Sequence, residues 1–129
     1  MRLTFKTLNC RGLGDWKKRS KFRLTAKNSD IVCAQETHST PSTDWTRILG
    51  FENAAFSHGT SNSKGAAVLT KNMNCLASTV DDDGRFASVT VQVSIDNTDI
   101  AITVFFLCMH LILEVQWQAK KSIKSSWKN

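Results

Sequence analysis

A chain of 129 residues with 41% hydrophobic and 22% charged side chains is long enough for one domain with a buried core, and too apolar for wholesale disorder. Its net charge of +6 is uneven: residues 1–27 carry nine Lys or Arg against Asp15 alone, residues 28–107 carry four basic and nine acidic side chains, and the last 22 carry four Lys and one Glu. Basic ends around an acidic middle suit a polyanionic partner and a middle that keeps carboxylates for a metal, and a solvated helix face plus a lysine-rich tail is the plainer reading of the same clusters. The four cysteines, Cys10, Cys33, Cys75 and Cys108, form no CxxC pair, which excludes zinc-type spacing. With no apolar leader, no glycosylation sequon and no long apolar run, the expected setting is intracellular, nuclear or cytoplasmic, without a membrane.

In chain order, LTFKTL (3–8) alternates as a strand with Leu3, Phe5 and Thr7 on one face, closed by Asn9. CRGLGDW has two glycines within three positions and reads as a loop. Asp15 is placed to cap a basic helix from Trp16 to Ala26, with Trp16, Phe22 and Leu24 inward and Lys17, Lys18, Arg19, Lys21, Arg23 and Lys27 outward.

The stretch DIVCAQETH (30–38) follows. Ile31 to Ala34 is the short apolar run of a strand covered on both faces, and it ends in four polar side chains before Pro41. A buried strand that ends in a carboxylate is one way to hold a hard cation, so Glu36 is the first candidate ligand; a solvated strand end is the alternative. If the two strands and the helix form a parallel unit, Asn9 and Glu36 share the carboxyl edge, where ligands gather in α/β sheets.

Asp44 is expected to cap a short helix with Trp45, Ile48 and Leu49, stopped by Gly50. Strands over 51–57 and 65–71 make a hairpin with the polar tip HGTSNSKG, and a weaker strand covers 74–80. Asp81-Asp82-Asp83-Gly84 reads as a solvated turn rather than a metal site. FASVTVQVSI (86–95) alternates clearly, with Ala87, Val89, Val91, Val93 and Ile95 on the core face, and Asp96-Asn97-Thr98 turns it into the apolar strand IAITVFF (100–106).

TLNCRGLG (7–14), SDIVCAQETH (29–38), LGFENAAFSHGTSNSKGAAVLTK (49–71) and GRFASVTVQV (84–93), in this order and spacing, resemble the endonuclease/exonuclease/phosphatase family, especially the apurinic-type endonuclease domain at the front of LINE-type retrotransposon polyproteins. The resemblance implies an α/β (α+β) fold, here the N-terminal half of a two-sheet sandwich flanked by helices. It also implies a divalent cation, Mg²⁺ or Mn²⁺, and a DNA partner whose phosphodiesters are nicked. It carries over a catalytic and metal-binding role to Asn9 and Glu36, gives Arg85 a structural place, and sets His58 in a loop near the DNA face. Arg11, Lys17, Lys18 and Lys21 are the expected nucleic-acid contacts from the basic helix and its approach.

The resemblance spans residues 1–107 and stops; residues 108–129 are an apolar-then-basic tail. The family's later Asp-x-Asn pair and Ser-Asp-His motif have no counterpart. A truncated, catalytically impaired nuclease is therefore the expectation, and the alternative is a noncatalytic mobile-element remnant that at most binds nucleic acid weakly. Half a sandwich is also expected to leave Val89, Val91, Val93, Ile100, Ile102 and Val104 uncovered and prone to self-association, with Leu107 to Val115 covering part of that face and the lysine-rich end mobile.

Overall fold

Parallel pairing opens the chain. In the computed structural model, which describes residues 2–60, 63–107 and 110–118, strands β1 (Phe5–Asn9) and β2 (Ile31–Gln35) run side by side, from Phe5 beside Ile31 to Asn9 beside Gln35. Helix α1 (Trp16–Ala26) connects them. Asp15 caps it, its side chain accepting from the Lys17 amide at 2.9 Å. At the other end the Lys6 and Lys71 ammonium groups donate to the Thr25 and Lys27 carbonyls at 3.0 and 2.7 Å, placing positive charge where the helix dipole favours it.

The inward face of α1 is narrower than its sequence predicts. Phe22 and Ala26 are buried, whereas Trp16 is 67% and Leu24 74% exposed. At 100° per residue Leu24 lies opposite the buried pair and Trp16 well to one side of it, and Leu13 from the preceding loop enters the core instead.

A short helix, α2 (Trp45–Leu49), is capped by Asp44 and ends at Gly50. The hairpin β3 (Asn53–Ser57) and β4 (Ala66–Thr70) joins the first sheet because β4 pairs antiparallel with β2, giving the order β1-β2-β4-β3. Its outer face is roofed by α1 and α2 through Phe22, Trp45 and Leu49, with Phe51 from the segment after α2, and these meet Val32, Ala34, Ala67 and Leu69.

The second sheet is an antiparallel meander of β5 (Asn74–Val80), β6 (Phe86–Ile95), β7 (Thr98–Leu107) and β8 (His110–Gln118). Asp96 and Asn97, at φ 50° and 63°, make the two-residue turn between β6 and β7, the geometry that suits the strands' twist.

The two sheets close on each other within this chain. Val89, Val91, Val93, Ile100, Ile102 and Val104, expected to be bare, are all buried together with Ile31, Cys33, Ala55, Ala66 and Val68. The reason is topological: β3 and β4 lie over β6 and β7, so the first sheet supplies the cover. The apolar tail, expected as strand or helix, is a strand over its described part. Its first part is β8, which pairs antiparallel along the edge of β7 and widens the sheet. The lysine-rich end and Cys108 lie outside the described residues. The architecture is thus mixed α/β and mostly strand, with helices, first sheet and second sheet in three layers. Among the described residues no helix is long and apolar enough to cross a membrane.

Candidate functional site

The parallel register carries two sequence-distant side chains to one corner. Asn9 ends β1 beside Gln35, and Glu36 is the next residue, so the Asn9 Nδ2 donates to Glu36 Oε2 at 2.5 Å. The Arg11 amide donates to Asn9 Oδ1 at 3.2 Å, which fixes the amide's orientation. Beyond the strands the pairing continues as a zipper between two loops: the amides of Cys10, Gly12 and Leu13 donate to the carbonyls of Gln35, Glu36 and Thr37 at 2.9, 2.7 and 2.9 Å. Arg11, Glu36 and His38 take left-handed φ values of 49°, 51° and 53°. Three non-glycine residues in that region cost free energy that the surrounding hydrogen bonds must offset, a pattern concentrated at functional sites.

Two grooves meet at this pair. One, of about 420 Å³, runs between β1 and α1 and is lined by Asn9, Arg11, Lys18 and Lys21; the Lys18 ammonium donates to the Arg11 carbonyl at 2.6 Å. The other, of about 260 Å³, opens at the end of the sandwich past Glu36, with Ala66 and Phe106 as its floor and Lys64 and Arg85 on its rim. Charge is therefore arranged as one carboxylate flanked by cations.

The expected site residues divide accordingly. Asn9 and Glu36 are in contact, and Arg11, Lys18 and Lys21 line the groove beside them. Lys17 points elsewhere, its ammonium 5.9 Å from the Trp16 ring centre. His58 is set in the outer layer, its ring stacked on Phe56, which in turn stacks on Trp45. Its Nδ1 lies 3.0 Å from Ser39 Oγ, and Ser39 Oγ lies 2.9 Å from Thr37 Oγ1, so a pair of buried hydroxyls links it to the residue after Glu36. Burial pulls the His58 pKa below its ordinary value, against a hydrogen bond with the Ser39 backbone that raises it.

The imidazole of His38 packs over the loop at Gly12, whose φ of 94° strains any side chain there and where a Cβ would lie 2.7 Å from the His38 Nδ1. Cys10 is pushed up to about 12 by burial and by the Glu36 carboxylate, so the thiol stays protonated near neutral pH and is no nucleophile.

Three participants escaped the sequence. Lys64 was hidden in a polar tip, Arg85 was expected only as structure, and Asp81 organises the acidic turn. Its carboxylate accepts from Ser57 Oγ and from the amides of Arg85 and Phe86 at 3.3 and 3.1 Å. Burial raises the Asp81 pKa, but the hydrogen bonds from Ser57, Phe86, Arg85 and Asp83 outweigh it and hold the group below the usual range.

For a divalent cation the corner offers one carboxylate, with an amide orienting it. Among the described residues no cluster of three or more His, Cys, Asp or Glu is available to cage an ion. Such a donor set fits a hydrated Mg²⁺, which takes one or two carboxylates and completes its shell with water and phosphate. No protein-family model and no curated protein sequence matches the chain.

Proposed function

We propose that this chain is a nucleic-acid-binding module of nuclease ancestry, the N-terminal part of an endonuclease/exonuclease/phosphatase-type sandwich, which by itself does not nick DNA at a useful rate. The observation that carries the reading is the contact between Asn9 and Glu36 at adjacent ends of two parallel strands, bordered by Arg11, Lys18 and Lys21. Cations of this kind neutralise backbone phosphates, and binding through them weakens steeply with salt. Glu36 would hold Mg²⁺ or Mn²⁺, with Asn9 orienting its carboxylate. A cation bound there balances charge on phosphoryl oxygens.

Hydrolysis also requires a base to take a proton from water and a group to neutralise the leaving oxygen. Among the described residues no Asp–His ion pair stands ready to orient and deprotonate a water: His38 packs over the loop at Gly12, and His58 Nδ1 lies 3.0 Å from the Ser39 hydroxyl. This chain would then carry the phosphate and cation functions without the proton-transfer functions.

Supercoiled plasmid incubated with the chain and Mg²⁺ tests it. The expected result is retention at low salt, release as salt rises, and no open-circular product. Substituting Lys18 and Lys21 with Ala should reduce the salt slope by about one for each phosphate no longer neutralised. Nicking that vanishes in Glu36→Gln would show a complete catalyst and sink the proposal.

A further inference from the structure

The groove past Glu36 has a feature that the Asn9–Glu36 corner does not use. Lys64 and Arg85 are separated by twenty-one positions in sequence, yet both stand on its rim and both pair with one carboxylate. Lys64 Nζ lies 3.6 Å from Asp83 Oδ1, and Arg85 Nε lies 3.4 Å from Asp83 Oδ2. One oxygen faces each cation, which is the demand that the two nonbridging oxygens of a phosphodiester also make.

The rim is built rather than incidental. The Gly65 amide donates to the Gly84 carbonyl at 3.0 Å, and the His38 and Thr37 amides donate to the carbonyls of Lys64 and Gly65 at 2.9 and 3.2 Å. A Cβ added to Gly84 would sit 2.8 Å from the Gly65 nitrogen and 2.9 Å from Lys64 Cβ. On the other side, the Gly84 amide donates to the buried Ser57 hydroxyl at 2.9 Å, and the Arg85 amide to Asp81. The backbones that bear the two cations are thereby clamped to each other and to the loop that carries Glu36.

We propose that Lys64 and Arg85 form a second phosphate subsite for a nucleic-acid backbone, on the other side of the Asn9–Glu36 pair from the Arg11, Lys18 and Lys21 groove, and that Asp83 fills this subsite in the free protein. All three side chains are about half exposed or more, so water screens both pairs and an incoming phosphodiester exchanges readily with the carboxylate. Backbone phosphates then lie on both flanks of Glu36, one groove on each side. The subsite rests on the nucleic-acid reading above and adds the residues that bind beyond the corner.

Binding of a fluorescent duplex oligonucleotide to the full chain, measured by anisotropy across a salt series, tests it. Asp83→Asn should tighten binding about threefold, the size expected when a screened surface pair is released. Asp82→Asn removes the same charge outside both ion pairs and should produce a smaller gain. The additional gain of Asp83→Asn should disappear when Lys64 and Arg85 are also replaced by Ala. Equal gains from Asp83→Asn and Asp82→Asn would overturn the subsite alone, as would a gain that survives replacement of both cations. Failure of wild type and Asp83→Asn alike to retain DNA at low salt would overturn the nucleic-acid reading together with the subsite.

Discussion

The two sheets share one core but live in different surroundings. The first is covered on both faces, by helices above and by the second sheet below, and its carboxyl-end corner holds Asn9 and Glu36. The second packs one face on the first sheet; its other face, among the described residues, carries Ser94 and Gln92 and a Phe86–Phe105 stack with ring centres 6.3 Å apart. A strand fixed from both sides can end in strained, polar residues without losing its register, because the packing behind it leaves no slack. The second sheet contributes mass to the core and lends the site its acidic turn and the Phe106 side chain beneath the groove past Glu36.

The largest effects should fall on side chains buried between layers, whichever sheet bears them. Leu69→Ala, beneath the helices, and Phe106→Ala, between the sheets, should each cost about 3–5 kcal/mol in urea unfolding. Phe105→Ala on the open face should cost about 1 kcal/mol, the value of a half-buried aromatic pair. Equal losses at Leu69 and Phe105 would erase the contrast between the sheets.

The acidic turn, where the second sheet meets the first, comes next. Ser57→Ala removes a buried hydroxyl that serves both the Asp81 carboxylate and the Gly84 amide, and about 1–3 kcal/mol should go with it. Because the folded pKa of Asp81 is depressed, its contribution is present above the unfolded value near 4 and is lost as pH falls through the lower folded value. Asp81→Asn should therefore flatten the acid limb of the stability profile, read as the midpoint of thermal unfolding between pH 5 and 2.

Smaller still is the effect at His58. Its folded pKa is also depressed, so the ring's contribution is present above the unfolded value near 6.5 and declines as pH falls toward the folded one. His58→Gln should make stability less dependent on pH between 7 and 5. An unchanged slope would mean that burial of the ring does not distinguish the two protonation states. Least of all, Trp16→Ala and Leu24→Ala should lie within about 0.5 kcal/mol of wild type despite the size of the residues removed.

The helix shows where reading from sequence stops. Asp15 as cap and the 16–26 span were legible because capping and period are local. That Trp16 faces water was not, since it depends on Leu13 reaching the core from a loop whose glycines announce only a turn. Similarly, Asn9 and Glu36 could be brought together from one parallel pairing, whereas Lys64 and Arg85 meet through a close approach of Gly65 and Gly84 that no periodicity records. The sandwich departs from its expectation for the same reason. The strands from β1 to β7 were recognisable and β8 was open between strand and helix, but that β3 and β4 would roof β6 and β7 is a relation between elements, and it turned a face expected to be exposed into the main core.

The two-residue turn at Asp96 and Asn97 also sets a timetable. It lets ten residues of β6 zip directly onto ten of β7, whereas β1 must wait for the whole of α1 before it finds β2. Hairpins close in microseconds, and contacts between distant segments carry a larger loop entropy, so the meander should assemble first and serve as the surface on which the parallel pair is laid down. Substitutions in β6 and β7 should then slow refolding, and substitutions around Asn9 and Glu36 should mainly hasten unfolding. The corner that joins Asn9 to Glu36 would be the last part of the molecule to form and the first to open.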